Sequence, residues 1–357
     1  MISPALAGLA RCPDCRGRFV DAGEVFECQQ CGHRAAKGPG YLDLRPSETF
    51  TEQTKYLDEA LHGDARHETV SPPLLQAGVR QWMLNRLLAP APGDVIIDLG
   101  CGSGRSIVWN HASGAAIVGI DVAPYFAQEA LERGDLVLGD LRRLPFADGA
   151  FDKAYALDVF EHLSRETLAV VMAEIARVVK PGGQVFAYSH VRKNSRLAGG
   201  LRAINRLARQ LEHAGLIDLR QERLRKADHV NPLADIPDLE RVAAAAGFRI
   251  AKIRYYTPLI GAFVENILMR VAERALARRT RTAAKNSQGP AAETGDSAEA
   301  ALRAARTSAK RRLSVKGPLY YALRAITWVM TWDVRLLGRV RTGPFFVLLR
   351  RTSGNGI

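Results

Sequence analysis

Two pairs of cysteines lie near the start of the chain. Cys12 and Cys15, then Cys28 and Cys31, form two Cys-x-x-Cys turns separated by twelve residues. Each turn presents two thiolates, and four soft donors meet the tetrahedral preference of Zn²⁺. Because four thiolates leave no open position, we expect a structural zinc ion and not a catalytic one. His33 is an alternative ligand, which we interpret as a surface residue.

A glycine-rich stretch follows a short apolar run further along the chain. The stretch VIIDLGCGSGRS, residues 95–106, places Gly100, Gly102 and Gly104 at every second position after Asp98. A dinucleotide-binding loop has the pattern Gly-x-Gly-x-x-Gly, with the pyrophosphate at a helix amino terminus. Here the third glycine comes one residue early, and the Asp98 carboxylate would repel a pyrophosphate but would suit an amino group. The loop therefore predicts a nucleoside ligand that lacks phosphates.

The surrounding segments alternate between strand and helix patterns. This alternation predicts a doubly wound parallel sheet, with its ligand site at the carboxyl ends of the strands. The predicted helices include PPLLQAGVRQWMLNRLLAP, PYFAQEALERG beginning at Pro124, and SRETLAVVMAEIARVVKPGG with a Ser164 cap. The predicted strands are GDVIIDLG, AAIVGIDVA, DLVLGDL, AFDKAYALDVF, QVFAYSHV, FRIAKIRYYTPL and, as an antiparallel edge strand, GPFFVLLRR.

Five motifs in this order resemble those of class I S-adenosylmethionine-dependent methyltransferases of the small-molecule type, over residues 72–190. They are DLGCGSG, IVGID, VLGDLRRLPFADGAFD, ALDVFEHL and VVKPGG. The resemblance implies an α/β fold with a doubly wound, Rossmann-like sheet of seven strands, and S-adenosyl-L-methionine as the cofactor. In this chain a small zinc ribbon precedes that core, and a helical insertion precedes its last strand.

The resemblance assigns a cofactor role to residues at the strand ends. The first motif holds the methionine moiety, Asp121 bonds both ribose hydroxyls, and Asp140 takes the adenine amino group with a backbone contact at Leu141. Within the loop we interpret Cys101 as a small packed residue and not as a nucleophile. The implied cofactor-binding residues are Asp98, Gly100, Cys101, Gly102, Gly104, Asp121, Val122, Asp140, Leu141 and Asp158.

Methyl transfer from a sulfonium is an in-line displacement, so the protein must align donor and acceptor and accept a proton from an oxygen or nitrogen nucleophile. The candidate catalytic residues are His162, His190 and His229. We favour His162 because it follows the strand that faces the sulfonium in this fold, although a packing role fits it equally. His229 lies in a polar segment before the helix that precedes the sixth strand. Asp158 is a further candidate base, whereas Glu161 is expected to be solvated.

The positive charge of the chain is concentrated at its carboxyl end. The formal net charge is +13, and the last hundred residues contain 18 of the 50 Lys and Arg but 6 of the 37 Asp and Glu. The predicted organisation is a zinc ribbon at 1–45, a linker at 46–71, the methyltransferase core at 72–257, an amphipathic and partly disordered basic insertion at 258–342, and the last strand and tail at 343–357.

The insertion admits two interpretations. Its helical stretches combine apolar and aromatic residues with arginines, which is typical of an interfacial membrane helix. The same pattern fits a helical lid that packs over the active site. Between these stretches, TAAKNSQGPAAETGDSAEAALRAARTSAKRR is low in aromatic residues and is predicted to be disordered.

These features predict a methyltransferase that acts on a small-molecule or lipid acceptor at or near an anionic membrane surface. The alternative is a ribosomal-RNA base methyltransferase that holds RNA with the zinc ribbon and the basic insertion. A non-catalytic scaffold that binds the cofactor is a third hypothesis. The sequence shows neither a signal-peptide pattern nor an uninterrupted apolar run of about 18 residues. We therefore expect a cytoplasmic protein that is peripheral on the inner face of the membrane.

Overall fold

The computed structural model describes residues 2–48, 70–192, 198–219, 230–272, 274 and 316–353. A small antiparallel sheet near the amino terminus contains β1 (Phe19–Asp21), β2 (Val25–Cys28) and β3 (Arg34–Ala36). The second Cys-x-x-Cys turn joins β2 to β3, so the cysteine pairs and this sheet form one compact unit.

The central sheet has eight strands. They are β4 (Tyr41–Asp43), β5 (Val95–Leu99), β6 (Ala116–Asp121), β7 (Asp135–Leu138), β8 (Phe151–Leu157), β9 (Val179–His190), β10 (Phe248–Tyr255) and β11 (Pro344–Arg351). Their order across the sheet is β10-β11-β9-β8-β5-β6-β7-β4, and β4 to β9 are paired in parallel. Ile96, Ile97 and Leu99 of β5 are fully buried, as expected for an apolar strand covered on both faces. The predicted α/β fold with a Rossmann-like sheet is confirmed.

The last strand lies at a different place from the one that the sequence predicts. We expected β11 at the edge, but it lies between β9 and β10 and pairs antiparallel with both. Five consecutive residues, Phe345 to Leu349, are buried. An unbroken apolar run of this kind is typical of an interior strand that is covered on both faces. The edge prediction was therefore wrong, and β10 forms that edge.

The eighth strand comes from the amino-terminal segment. Tyr41, Leu42 and Asp43 of β4 pair in parallel with β7, and the Leu44 N–H donates to the Leu138 carbonyl at 2.8 Å. Leu42 and Leu44 are fully buried. The residues that follow the cysteine turns thus extend the central sheet and cover its β7 edge.

Ten α-helices surround the sheets in the described ranges. They are α1 (Pro4–Leu9), α2 (Leu75–Leu87), α3 (Arg105–Asn110), α4 (Gln128–Arg133), α5 (Arg165–Val178), α6 (Ala198–His213), α7 (Ile236–Ala245), α8 (Leu259–Phe263), α9 (Pro318–Met330) and α10 (Trp332–Leu337). The predicted Ser164 cap is present, since its Oγ accepts the Thr167 N–H at 3.1 Å.

One helix begins later than predicted. We expected it to start at Pro124, but α4 begins at Gln128. The Ala127 N–H donates instead to the Ser103 carbonyl at 2.9 Å. This bond holds residues 124–127 as an irregular connection against the glycine-rich stretch, so tertiary contact overrides the local preference of Pro124 to start a helix.

The insertion folds back onto the core through α9 and α10. Thr327 of α9 accepts the N–H of Leu75, the first residue of α2, at 2.7 Å. Met330 is fully buried, and the Asp333 carboxylate accepts the N–H groups of Ile260 and Gly261 at 3.0 and 2.8 Å. α8 and α10 are thereby fixed to each other beside the carboxyl end of β10.

Two predictions about the insertion have separate outcomes. The segment predicted to be disordered lies outside the described residues. Among the helices that the structure describes, none combines the length and the apolar character that crossing a bilayer requires.

We expect Asp333→Ala to lower the free energy of unfolding by about 2–4 kcal/mol, because it leaves two buried N–H groups without acceptors. Chemical denaturation monitored by tryptophan fluorescence measures this loss. Asp148→Ala is the matched control, since the Asp148 side chain is largely exposed beside Arg177; its effect is expected to stay below about 1 kcal/mol. Equal effects of the two variants would contradict the role given to Asp333.

Candidate active site

The glycine-rich stretch connects β5 to α3 as a tight loop. Gly100, Gly102 and Gly104 all have positive φ angles, of 68°, 55° and 77°. A Cβ atom at Gly100 would lie 2.7 Å from Val159, and one at Gly104 would lie 2.6 Å from Ala130. Apart from its two chain neighbours, no described residue has an atom within 4 Å of a Cβ built at Gly102. The loop is therefore closed by packing at both ends and open in the middle, where a ligand has room to approach the backbone.

Asp98 lies under this loop and is almost completely buried. Its Oδ2 atom has no hydrogen-bond partner among the described residues. Burial raises the pKa of Asp98 to about 8; the nearby Tyr155 hydroxyl opposes the shift and the Asp121 carboxylate adds to it. A buried acceptor of this kind is left for a ligand that brings a donor, and a cationic amino group would stabilise its ionised form.

Asp121 ends β6 and faces the same loop. Its Oδ2 accepts the Gly102 N–H at 2.8 Å, and its Oδ1 accepts the Ala123 N–H at 3.0 Å. The Asp121 carboxylate thus fixes the backbone at Gly102, in the open middle of the loop. The sequence motifs did not predict this contact. Val122 is half-buried and lies in the bend between Asp121 and Ala123.

Cys101 lies in the loop with its thiol turned inwards. A Cβ atom at Gly119 of β6 would lie 2.9 Å from the Cys101 Sγ. Burial and the neighbouring carboxylates of Asp121 and Asp98 raise the pKa of the Cys101 thiol well above its ordinary value. A thiol held in its neutral form is a poor nucleophile, which agrees with the interpretation of Cys101 as a packed residue.

Asp140 follows β7 and caps a short 3₁₀ turn over Leu141–Arg143. Its Oδ1 accepts the Arg142 backbone N–H at 2.8 Å, and its Oδ2 lies 2.7 Å from the Arg142 guanidinium. The carboxylate predicted to take an adenine amino group is thus already paired with Arg142. Leu141 is half-buried and packs against the apolar core beside it.

A second group of polar residues gathers where β8 and β9 end. Asp158 follows β8 with a φ of 57°, and its Oδ2 lies 2.6 Å from an Arg80 guanidinium nitrogen. Arg80 comes from α2 and stacks over the Tyr188 ring at 4.8 Å. Burial raises the pKa of Asp158, and Arg80 opposes the shift. No local sequence pattern predicts this ion pair, because its two residues are far apart in the chain.

Glu161 differs most from its sequence-based expectation. We predicted a solvated carboxylate, but Glu161 is fully buried in the 3₁₀ turn that follows β8. Its Oε2 accepts the Ser189 hydroxyl at 2.9 Å, and its Oε1 lies 3.3 Å from the Nδ1 of His190. That prediction was wrong because β9 supplies two partners that the local sequence does not show.

The three candidate histidines have different placements. His190 ends β9 in contact with Glu161. His162 lies in the 3₁₀ turn, half-buried and close enough to Asp158 to lower the pKa of that carboxyl. His229 lies outside the described residues, so its role stays a prediction.

The four amino-terminal cysteines converge. All four sulfur atoms lie within 4.8 Å of one another, and the Cys12–Cys31 and Cys15–Cys28 sulfur pairs lie 3.5 and 3.4 Å apart. The backbone N–H groups of Gly17 and Gln30 point at the Cys15 and Cys28 sulfurs, each at 3.4 Å. This set of donors fits a tetrahedral metal ion that accepts thiolates.

His33 lies beside this cluster but has other partners. Its Nδ1 is 2.8 Å from Asp14 Oδ2, and the same carboxylate accepts the Ser47 hydroxyl at 2.6 Å. Cys12, Asp14 and His33 also have donor atoms within 4.8 Å of one another. The partners of His33 agree with a supporting role next to the four sulfurs, although the ring is less exposed than we expected.

Comparisons with known proteins address the same part of the chain. Residues 97–187 match the family model of the methyltransferase domain, which confirms the family resemblance seen in the motifs. The sterol 4-C-methyltransferase of Caenorhabditis elegans is 34% identical over 107 residues, which cover 28% of this chain and 31% of that protein. A probable tRNA methyltransferase of Mus musculus is 31% identical over 134 residues, which cover 36% of this chain and 30% of that protein.

Among solved structures, this chain is similar to the phosphoethanolamine N-methyltransferase 2 of Haemonchus contortus in complex with S-adenosyl-L-methionine. The two share 17% identity at a TM-score of 0.46, over 86% of this chain and 61% of that chain. The two curated relatives described above are matched over about a third of their own length.

We expect Asp98→Asn to stabilise the ligand-free protein while weakening S-adenosylmethionine binding by about 10–100-fold. The unfolded chain releases the Asp98 proton near its ordinary pKa of 3.8, whereas the folded protein holds it up to about 8. Stability therefore falls as pH rises through this window, because the unfolded chain has released the proton while the folded protein still holds it. The gain in melting temperature should be larger near pH 8 than near pH 5.

Thermal melts at the two pH values and titration calorimetry test this expectation. Asp152→Asn is the matched control: Asp152 lies at the opposite end of the sheet, paired with Lys180, and cofactor affinity should not change. Full cofactor affinity in Asp98→Asn would rule out the proposed contact.

Proposed function

We propose that this protein, which contains a methyltransferase domain of the class I S-adenosylmethionine-dependent family, transfers a methyl group to a lipid-type acceptor at an anionic membrane surface. The sulfonium of the cofactor would supply an electrophilic methyl group. The observation that carries the assignment of the cofactor is the buried, unpartnered Asp98 Oδ2 beside the open Gly102 position.

Each strand end would contact one part of the cofactor. Asp98 would accept hydrogen bonds from the amino group, and Asp121 those from the ribose hydroxyls, as an ionised carboxylate does in a bidentate contact. Asp140 would orient the adenine while it remains paired with Arg142. The Asp158–Arg80 ion pair would close the side of the site that faces α2.

The insertion presents an aromatic face that supports a membrane-bound acceptor. We define this face by Tyr321, Trp328, Trp332 and Leu336, all exposed, with Trp328 at 52% and Leu336 at 71%. The rings of Trp328 and Trp332 lie 5.3 Å apart, so they belong to the same face. Clustered exposed apolar side chains of this size mark an interaction surface.

Basic residues accompany the aromatic face in sequence, and Arg335 lies close to one of its rings. The Arg335 guanidinium lies 5.2 Å from the Trp82 ring and 5.9 Å from the Trp328 ring. Residues 316–341 contain five Lys and Arg against a single acidic residue, the buried Asp333. Indoles interleaved with cations fit an anionic lipid surface, where rings enter the headgroup layer and each basic residue adds roughly 1 kcal/mol.

The aromatic face is joined to the active site through α2. The buried side of α9 packs on α2 at Leu75, and α2 carries Arg80 five residues further on. Ile260 of α8, Met330 of α9 and Tyr256, which follows β10, also share one apolar cluster with Tyr188. A lid role and a membrane-binding role are therefore compatible, because the same helices cover the site and carry the exposed face.

The amino-terminal cysteines would hold one structural Zn²⁺. The four sulfurs and the N–H groups that point at them support this site, and four ligands leave no position for a substrate. Since β4 follows directly and pairs with β7, the metal would also support the strand that leads to Asp140.

We expect the purified protein to contain one zinc ion per chain, measured by inductively coupled plasma mass spectrometry. Cys28→Ser should lose the metal, melt at a lower temperature and bind S-adenosylmethionine at least about fivefold more weakly, because β7 loses its support. His33→Ala is the matched control and should keep its zinc. A Cys28→Ser variant with full zinc content would contradict the four-cysteine site.

We expect the protein to float with vesicles that contain anionic phospholipid and to stay unbound with neutral phosphatidylcholine vesicles. The double variant Trp328→Ser/Trp332→Ser should bind the anionic vesicles more than about tenfold more weakly, and added salt should weaken the wild type. Val170→Ser is the matched control, since Val170 is comparably exposed on α5, away from the insertion. Equal binding of both variants would argue against the aromatic face.

The acceptor is identified by incubating the protein with methyl-labelled S-adenosylmethionine and a cell lysate, then separating lipids, RNA, proteins and small metabolites. Label in the lipid fraction that the Trp328→Ser/Trp332→Ser variant fails to produce is the expected result. Label in RNA would overturn the lipid proposal and favour the ribosomal-RNA alternative. Bound cofactor with no label in any fraction would favour a scaffold.

A further inference from the structure

Glu161 is a buried carboxylate with a specific set of partners. It lies in the 3₁₀ turn Phe160–His162 directly after β8 and has no exposed surface. Its Oε2 accepts the Ser189 hydroxyl at 2.9 Å, its Oε1 lies 3.3 Å from His190 Nδ1, and its carbonyl accepts the Asn231 N–H at 2.9 Å. Oε2 thus has a hydrogen bond from Ser189, whereas Oε1 faces His190 Nδ1 at contact distance and has no hydrogen bond to the described residues.

Burial of a carboxylate is costly unless partners stabilise its charge. Burial alone would raise the pKa of Glu161, but the contact with His190 and the Ser189 hydroxyl hold it below its ordinary value. An ionised Glu161 has no proton to donate, so this carboxylate, 3.3 Å from Nδ1, favours the His190 tautomer that carries its proton there. In the neutral ring this arrangement leaves Nε2 as the nitrogen that accepts.

The His190 ring faces Glu161 on one side and is partly exposed. Its Nδ1 is buried, whereas 27% of the side chain is exposed, so the exposed part of the ring lies away from Glu161. The turn that carries Glu161 also contacts the cofactor loop, because Val159 packs against Gly100. His190 ends β9, which pairs with β8, so it lies beside the strand that leads to Val159 and the glycine-rich loop.

We propose that His190 is the base that takes a proton from the acceptor, and that Glu161 is a positioning residue that fixes its tautomer. The inference rests on the proposed methyltransferase function and names its acceptor class as an acidic hydroxyl, such as a phenol or an enol. A hydroxyl needs proton removal to become a strong nucleophile, whereas a neutral amine attacks before it loses its proton.

The acceptor hydroxyl gives its proton to His190 Nε2, and its oxygen forms a bond to the methyl carbon. The bond between that carbon and sulfur breaks, and its electron pair stays on sulfur as S-adenosylhomocysteine leaves. His190 then releases its proton to solvent, while Glu161 remains ionised throughout.

The tautomer is tested without any acceptor. In the full-length protein, long-range ¹⁵N–¹H correlation spectra, assigned with the His190→Gln variant, should show His190 at neutral to mildly alkaline pH with a proton on Nδ1 and none on Nε2. A neutral ring with its proton on Nε2 would overturn the proposal.

The kinetic test uses a matched pair of variants around the same carboxylate. Transfer of labelled methyl to vesicles made from a total lipid extract is the assay. Glu161→Gln should lower kcat by about 10–100-fold, with KM for the cofactor unchanged within about twofold. Ser189→Ala removes the other hydrogen bond to Glu161 and should keep kcat within a few-fold. Imidazole should partly restore His190→Ala. Equal losses in Glu161→Gln and Ser189→Ala would show a purely structural role.

The product identifies the acceptor atom. Labelled lipid heated with hydriodic acid should release labelled methyl iodide, as methyl ethers do. Label that stays on carbon or nitrogen would overturn the hydroxyl assignment. Absence of any transfer despite cofactor binding would count against the proposed function itself, and the tautomer measurement would then decide the placement of His190 independently.

Discussion

The candidate site depends on carboxylates that are buried away from water at the carboxyl ends of parallel strands. Asp98 is the strongest case, because its buried oxygen has no partner among the described residues while burial raises its pKa to about 8. Asp121, one strand away, is bonded to the loop backbone and keeps the loop open at Gly102. The Asp98 carboxylate is thus available to a ligand, whereas the Asp121 carboxylate fixes the loop that the ligand would contact.

The other half of the site follows the same physical rule with different partners. Asp158 is balanced by Arg80 from α2, and Glu161 by Ser189 and His190 from β9. These pairings couple the site to two distant elements. Displacement of α2, on which the insertion packs, would therefore change the electrostatics where β8 ends.

Local motifs predicted the framework well but not the partners. The glycine spacing and the acidic strand ends placed Asp98, Asp121 and Asp140 correctly along one edge of the sheet, because their positions follow from short-range sequence patterns. Burial of Glu161 and the ion pair of Arg80 depend on segments far apart in the chain, which no local pattern reveals. The interior position of β11 could have been predicted from the sequence, since Phe345 to Leu349 form an unbroken apolar run. The extra strand β4 could not be predicted from the sequence, because its three residues, which follow the cysteine turns, have no strand pattern.

The pairing of β4 with β7 gives the amino-terminal segment a further structural role, as an edge strand of the central sheet. An open parallel edge presents unpaired N–H and C=O groups to any other chain, and here the protein supplies its own closing strand. The segment covers this edge and also carries the four-cysteine cluster. If residues 1–45 were removed, β7 would become an exposed edge strand that can pair with other chains. The segment that carries the cysteine turns therefore contributes to the solubility of the sheet.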